Sequence, residues 1–143
     1  LEVEVTEGAI LEDQYIASSM LAKMKKSGIR IALDDFGTGY SSLSVLQRFS
    51  VDKIKIDRSF VSCIADGGES EALVDAMIKL AKALDLRVIA EGVETAAQRT
   101  RLASCGCSEF QGFLTGRPMT AEAVATLVGE AQDAPRVAIR RRG

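Results

Sequence analysis

Hydrophobic and polar positions along this chain predict short strands that alternate with amphipathic helices. The strand-like segments show a two-residue alternation, whereas the helical segments repeat apolar residues at a spacing of three or four. The predicted strands are Leu1–Val5, Ile29–Asp35, Asp52–Asp57, Arg87–Gly92 and Glu109–Phe113. The predicted helices are Gln14–Ser27, Ser41–Arg48, Glu71–Leu84, Thr95–Ser104 and Thr120–Ala131.

Capping residues mark the ends of these predicted helices. Gly28 directly follows the first helix and favours a C-terminal cap there. Ser41 or Ser42 can N-cap the second helix through its hydroxyl group. Thr95, with Gln98 three positions later, is typical of a capping box at the start of the fourth helix.

Strands that alternate with helices indicate βα units and a parallel sheet, so the predicted fold class is α/β. An open doubly wound sheet and a closed barrel both fit this order of elements. The barrel is favoured because each strand has one apolar parity and one polar or small parity, whereas strands of an open sheet are apolar on both faces. In the third strand, for example, Ile54 and Ile56 flank Lys55. We therefore predict that the polar parity lines a barrel interior.

The length of the chain limits how much of a barrel it can form. It has 143 residues, whereas a complete (βα)₈ barrel needs about 250. We therefore predict a partial (βα)₈ TIM-like barrel of about five βα units, the C-terminal part of the fold. This domain is predicted to span residues 1–131. Residues 132–143 contain Arg136, Arg140, Arg141 and Arg142 and are predicted to form a disordered basic tail.

Composition excludes several classes of protein. The net charge of −2 excludes a strongly basic nucleic-acid binder, and no apolar run approaches the roughly 18 residues of a membrane span. The sequence contains no histidine, so catalysis has to use carboxylates, lysine or cysteine, or a metal held by oxygen ligands. Cys63, Cys105 and Cys107 lack the spacing of a zinc motif, which favours reduced thiols in a cytosolic protein.

Four predicted strands end in an ionisable residue on the inward parity, namely Glu4, Asp34, Lys55 and Glu91. In barrel enzymes the C-terminal ends of the strands form the active-site face. Solvated strand ends are the plainer interpretation, but the shared parity favours a cluster of oxygen ligands for Mg²⁺, Mn²⁺ or Ca²⁺. Asp35, next to Asp34, can then help to bridge two ions about 4 Å apart.

The segment DFGTG at residues 35–39 begins with the second of the two aspartates and is a glycine-rich turn. It is not the kinase motif of the same letters, because the other kinase signatures do not precede it. It is not a P-loop either, because no GK[ST] follows. The glycines alone indicate unusual backbone dihedrals or a close approach to a ligand.

A series of five segments is more specific than any single motif. The segments are LEVEVTE at 1–7, LDDFGTGYSSL at 33–43, KIDRSFV at 55–61, VIAEGVET at 88–95 and FQGF at 110–113. In this order and spacing they resemble the C-terminal part of the EAL domain, the bacterial cyclic di-GMP phosphodiesterase family. The resemblance implies a modified (βα)₈ barrel, in agreement with the parity of the strands.

The resemblance implies a metal-ligand set. Glu4, in EVTE, resembles the metal-binding glutamate of the family. Asp34 and Asp35 resemble the aspartate pair that binds two metals, and Glu91 resembles the glutamate that helps to hold the second metal. The implied cofactor is a two-metal site of Mg²⁺ or Mn²⁺, which also explains how an acidic barrel mouth binds an anionic dinucleotide.

Three further residues acquire expected roles from the same resemblance. Lys55, in KID, resembles the lysine that contacts the nucleophilic water and is a proposed general base. Glu94 resembles the glutamate that anchors the DFGTGYSS loop. The alternative hydrogen-bond donors to it are Thr38, Ser41, Ser42 and backbone N–H groups. Gln111 resembles the site glutamine of the last strand.

The implied activity is metal-dependent hydrolysis of cyclic di-GMP to linear pGpG. The implied protein is a homodimer without a nucleic acid polymer as partner, and GGDEF or sensory domains are possible upstream. Its expected location is the cytoplasm, or the cytoplasmic face of a membrane if the parent protein carries a membrane sensor.

The resemblance has one departure, at the front of the family pattern. The E-A-L segment with its metal-binding glutamate, and the asparagine ligand after it, lie upstream of LEVEVTE in the family and are not in this sequence. We therefore expect the isolated chain to be inactive and to self-associate through unpaired strand edges. Two other hypotheses stay open: a non-catalytic cyclic di-GMP receptor, and a structural remnant with an incomplete barrel.

Overall fold

Five parallel strands form one sheet in the computed structural model, which describes residues 1–39 and 42–133. Each strand pairs in parallel with the next one along the chain, so the sheet order is β1-β2-β3-β4-β5 and every connection is a crossover. This confirms the predicted α/β class and the parallel sheet. The strands are β1 Glu2–Thr6, β2 Arg30–Phe36, β3 Lys53–Ile56, β4 Arg87–Ala90 and β5 Glu109–Phe110.

Helices occupy the connections between the strands and the segment after β5. No helix in the described part of the chain is long and apolar enough to cross a membrane. The helices are α1 Glu7–Glu12, α2 Gln14–Lys26, α3 Ser42–Arg48, α4 Arg58–Ser62, α5 Glu69–Ala83, α6 Ala96–Ser104 and α7 Ala121–Asp133, with a 3₁₀ turn at Ile64–Asp66.

The helices predicted from periodicity are present, and the predicted capping box opens α6. The short helices α1 and α4 were not predicted, because 6 and 5 residues are too few to show a periodic pattern. Side-chain caps define them instead. Thr6 accepts a hydrogen bond from the backbone N–H of Ala9 at 3.3 Å, and Asp57 accepts one from that of Ser59 at 2.9 Å. Asp57 is therefore a helix cap rather than the last residue of a strand.

Element ends differ from the sequence prediction in a few places. Strands β4 and β5 end at Ala90 and Phe110, earlier than predicted, while α7 continues past Ala131 to Asp133. The proposed cap Ser41 lies outside the described residues, as do residues 134–143 of the basic tail.

The outward parity of the central strands forms the hydrophobic core. These side chains are fully buried and belong to one cluster with residues of α5 and α6, so the prediction that the apolar parity faces the helices is confirmed for β2 and β3. The residues are Ile31, Leu33, Ile54 and Ile56 from the strands, with Val74, Ile78 and Leu102 from the helices.

The other face of the sheet carries charged residues in two layers. The lower one, which we call the basal layer, consists of Glu2, Lys53, Arg87 and Glu109. Lys53 Nζ lies 3.0 Å from Glu2 and 3.3 Å from Glu109, and Arg87 Nη2 lies 3.0 Å from Glu2. Glu2 and Arg87 belong to strands that are about 14 Å apart in a flat sheet. Their direct contact shows that this face is concave, as in the wall of a barrel.

Candidate active site

The second charged layer lies at the carboxyl ends of the strands and is centred on Lys55. Its Nζ lies 2.8 Å from Glu4 Oε2, 2.8 Å from Glu91 Oε1 and 3.1 Å from Asp34 Oδ1. We call these four residues the strand-end cluster. Its members come from β1, β2, β3 and the residue directly after β4, so the sheet brings together residues that are far apart in the chain.

A β-bulge interrupts strand β2 at the two aspartates. Leu33 pairs with Ile54 and Phe36 pairs with Ile56, so β2 has one more residue than β3 between these pairs. The extra residue is accommodated by Asp35, which has a φ of +55°. Leu33 and Phe36 are both buried in the core, and the two aspartates between them therefore avoid the strict alternation of an unbroken strand.

Lys55 is strongly cationic in this arrangement. Burial by itself lowers the pKa of Lys55, but the hydrogen-bonded carboxylates of Glu4, Glu91 and Asp34 outweigh it and raise the pKa above its ordinary value. Only 6% of its side chain is exposed. A general-base role therefore requires that these carboxylate contacts are loosened first.

The donor chemistry of the cluster fits a hard divalent cation, because three carboxylates converge on one cationic point. That point is held by the Lys55 ammonium group. Within residues 1–39 and 42–133, no three acidic or thiol side chains are arranged to enclose an ion by themselves. The carboxylates are therefore suitable ligands for a divalent cation. In this structure, however, they are arranged around the Lys55 ammonium group.

An open cleft of about 450 Å³ is lined by Asp35 and by residues that follow β1. Asp35 reaches it from the bulge, and Thr6 contributes from the end of β1. The lining consists of Thr6, Glu7, Gly8, Leu11, Asp35, Thr38 and Gly39. A ligand in this cleft lies at the carboxyl ends of the strands, where α/β barrels bind their substrates.

Glu7 is a residue of this region that sequence analysis did not single out. It is only 3% exposed, and a Cβ on Gly39 would lie 2.6 Å from its carboxyl carbon. The loop after the aspartates therefore passes directly over the Glu7 side chain, and a glycine is needed for this approach. An acidic residue in the first turn of a helix is common, so sequence alone gave no reason to choose it.

The expected anchor of the same loop, Glu94, has a different partner. Its Oε1 lies 3.2 Å from Arg58 Nη2. The proposed donor Thr38 instead gives its hydroxyl hydrogen bond to the Asp35 carbonyl at 2.9 Å. Of the alternative donors, Thr38 is thus engaged with the backbone of its own turn. Ser41 and the side chain of Ser42 lie outside the described residues.

Gln111 lies at the same end of the sheet, just after β5. Its backbone N–H donates to the Ala90 carbonyl at 2.9 Å, and its carbonyl accepts from the Val93 N–H at 3.0 Å. Its side chain is exposed. The structure thus places Gln111 on the active-site face but outside the strand-end cluster.

A curved parallel sheet with carboxylates gathered at the carboxyl ends of its strands defines a TIM-barrel-like α/β domain. The chain belongs to the EAL domain family, which matches residues 1–118. The family recognised from the sequence motifs is therefore confirmed.

Relatives with assigned names support the same family. The chain is 46% identical over 123 residues to the Escherichia coli protein named cyclic di-GMP phosphodiesterase PdeR, covering 86% of this chain and 19% of PdeR. It is 44% identical over 122 residues to MucR of Pseudomonas aeruginosa, named a bifunctional diguanylate cyclase/cyclic di-GMP phosphodiesterase, covering 85% of this chain and 18% of MucR. The chain thus spans less than a fifth of the length of these relatives.

Solved structures of relatives have the same fold. The MucR phosphodiesterase in complex with cyclic di-GMP has a TM-score of 0.81 at 44% identity, covering 87% of this chain and 50% of that one. BlrP1 of Klebsiella pneumoniae, solved with manganese and cyclic di-GMP, has a TM-score of 0.75 at 41% identity, covering 82% of this chain and 30% of that one. Both agree with the barrel-like curvature of the sheet.

Proposed function

We propose that this chain is the C-terminal part of a metal-dependent phosphodiesterase domain that hydrolyses cyclic di-GMP to linear pGpG. The observation that carries the proposal is the convergence of Glu4, Asp34 and Glu91 on one point at the carboxyl ends of the strands. The names of PdeR and MucR, and the ligands bound to MucR and BlrP1, support the choice of substrate and of a divalent metal.

In this proposal Glu4, Asp34, Asp35 and Glu91 hold two Mg²⁺ or Mn²⁺ ions. Such ions, when bound, activate water and stabilise charge on the phosphoryl group. The protein contributes fixed directions for its carboxylates. The bulge at Asp35 matters most, because it lets two adjacent residues of β2 face one site.

Lys55 is proposed to act on the attacking water or on the phosphate. As an ammonium group it stabilises negative charge that develops in the transition state, and its raised pKa favours this electrostatic role. The general-base role implied by the family becomes available once its carboxylate partners are engaged elsewhere. Gln111 is proposed as a substrate contact, and Glu94 as a site residue that acts with Arg58.

The extent and setting of the domain are also proposals. We assign residues 1–131 to the catalytic domain and residues 132–143 to a basic tail. A homodimer in the cytoplasm or at its membrane face, with GGDEF or sensory domains upstream, is the arrangement that the family resemblance implies. The isolated chain is expected to be inactive, because the upstream glutamate and asparagine ligands are expected to complete the metal site.

A non-catalytic cyclic di-GMP receptor is the second candidate. The observation that favours it is that Lys55 contacts all three carboxylates of the strand-end cluster. Its positive charge stabilises them without a metal. A receptor needs only the cleft and the surrounding contacts, whereas an enzyme needs the carboxylates to be released to metal.

The test is hydrolysis of cyclic di-GMP by the full-length protein that carries this chain, followed by chromatography of the nucleotides. We expect pGpG to accumulate with Mn²⁺ or Mg²⁺ and not with EDTA. Asp34→Asn is expected to abolish turnover, while Asp13→Asn, which keeps an oxygen acceptor at the cap of α2, is the matched control. Binding of cyclic di-GMP without turnover by the wild-type protein identifies a receptor instead.

A further inference from the structure

We propose that Lys55 is the resident counter-ion of the strand-end cluster, and that a divalent metal has to displace its ammonium group to bind. The inference rests on the proposed metal-dependent function and concerns how the site is held before metal arrives. Lys55 keeps Glu4, Asp34 and Glu91 converging on a shared point at contact distances of 2.8–3.1 Å.

The geometry matches the chemistry of an ammonium group. A lysine ammonium has three N–H donors and no acceptor, and three carboxylates from three different segments each supply one oxygen. The contact with Glu4 has hydrogen-bond geometry, and all three contacts are ion pairs within 3.1 Å. The N–H donors of an arginine guanidinium lie in one plane. Arginine therefore cannot direct its donors at three carboxylates placed around a single nitrogen.

The ammonium group and a metal ion cannot share the position. The carboxylates that face Lys55 are the ones proposed as metal ligands, and two cations at such short separation repel strongly in a poorly solvated site. The metal and the ammonium group therefore compete for the same carboxylate oxygens.

Lys53 provides a matched comparison on the same strand and face. It also bridges two carboxylates, Glu2 and Glu109, and its side chain is 10% exposed. In the basal layer, however, Arg87 contacts both of the same carboxylates. If Lys53 is removed, Glu2 and Glu109 still contact Arg87. If Lys55 is removed, the described contacts give Glu4, Asp34 and Glu91 no shared cation.

The experiment compares Mn²⁺ binding by the full-length protein that carries this chain with binding by its Lys55→Met and Lys53→Met variants, using isothermal titration calorimetry and melting in EDTA and in Mn²⁺. Lys55→Met is expected to melt lower in EDTA and to bind Mn²⁺ at least about tenfold more tightly than the wild type. Its gain in Tm with Mn²⁺ should also be larger. Lys53→Met is expected to show the wild-type affinity. Equal or weaker Mn²⁺ binding by Lys55→Met overturns the proposal, and so does the absence of binding by every variant.

If Lys55→Met fails to fold, a measurement on the wild-type full-length protein tests the displacement. In protein labelled with ¹⁵N-lysine, NMR detects ammonium groups that are hydrogen bonded and shielded from water. The Lys55 signal is expected to shift or vanish when Mg²⁺ is added, while the Lys53 signal stays in place. A Lys55 signal unchanged up to tens of millimolar Mg²⁺ contradicts displacement.

The two proposals fail in different ways. If the full-length protein hydrolyses cyclic di-GMP but Lys55→Met has the wild-type metal affinity, the phosphodiesterase function stands and the counter-ion role is wrong. If Lys55→Met gains metal affinity and the full-length protein shows no turnover, the counter-ion role stands and the phosphodiesterase function is wrong.

Discussion

Arg58 and Glu94 form an ion pair across the strand end next to the candidate site, with 3.2 Å between Nη2 and Oε1. The methylene stem of Arg58 lies directly over Gly92, where a Cβ would come within 2.4 Å of Arg58 Cγ. Gly92 follows Glu91 of the strand-end cluster and has a φ of +67°. Arg58 at the start of α4 therefore packs against Gly92, the residue after the proposed metal ligand Glu91.

Gly92→Ala is therefore expected to destabilise the protein by about 1–3 kcal/mol, because alanine is strained at this positive φ and meets the Arg58 stem. Urea unfolding of the full-length protein and of its Gly92→Ala variant measures the loss. Gly8→Ala is the control, since a Cβ at Gly8 has nothing within 4 Å and lies within α1. Equal stability of the two variants would show that the backbone at Gly92 relaxes freely.

Asp34→Asn is expected to weaken Mn²⁺ and Mg²⁺ binding in the full-length protein severely, because it removes a negative charge that both metals are proposed to share. Titration calorimetry gives the affinity directly. Asp13→Asn should leave it unchanged, because Asp13 caps α2 at a distance from the cluster. Unchanged affinity in Asp34→Asn contradicts the two-metal assignment.

Lys55→Ala is expected to lower kcat by roughly 10²–10⁴-fold while the affinity for cyclic di-GMP changes much less, if Lys55 acts on the reacting atoms. Steady-state kinetics and equilibrium binding separate the two effects. Lys55→Arg should not restore turnover, because its flat fork does not fit the three-sided set of carboxylates. A loss of affinity as large as the loss of kcat makes Lys55 a substrate-binding residue.

The loop after the aspartates is expected to depend on Glu7 more than on Glu94. Glu7 is buried beneath Gly39, whereas Glu94 pairs with an exposed arginine. Glu7→Gln should therefore reduce metal affinity and turnover, and a displacement of Asp35 can cost on the order of 10²-fold in rate. An activity curve across a Mg²⁺ titration compares the variants. A larger defect in Glu94→Ala would restore the original assignment of Glu94 as the loop anchor.

The free energy of unfolding is expected to fall in acid, because the Asp52 carboxylate becomes protonated. Burial raises the pKa of Asp52, but the Lys25 ammonium group and the Ile31 N–H, which donates to Oδ2 at 2.8 Å, outweigh this and lower the pKa below its ordinary value of 3.8. A lowered pKa means that the ionised form stabilises the folded state. The contribution is complete above pH 3.8 and disappears as the pH falls through the lower, folded-state value.

Asp52→Asn tests this contribution. We expect it to lose about 1 kcal/mol of unfolding free energy at neutral pH, and the difference from wild type should shrink in acid. Thermal melting as a function of pH measures the difference. Asp75→Asn, which removes a surface ion pair with Lys79, should have little effect at any pH. A constant difference for Asp52→Asn down to very low pH would mean that its charge is not involved.

Much of the fold was determined by local patterns in the sequence. Alternation along β2 and β3 showed which side chains enter the core, because a strand turns successive residues to opposite faces. The Thr95–Gln98 capping box fixed the start of α6 for a similar reason, since both partners lie within one helical turn. The polar parity of the strands also predicted that Glu4, Asp34, Lys55 and Glu91 would share a face, and they do.

The arrangement within that face was decided by the tertiary structure. The bulge at Asp35 follows from the register between β2 and β3, and no window of sequence around Asp35 contains that register. The pairing of Glu94 with Arg58 depends on how α4 packs over Gly92. Local periodicity thus determined which residues face the site. Contacts between segments far apart in the chain decided which charges meet there, because strand register and sheet curvature set those distances.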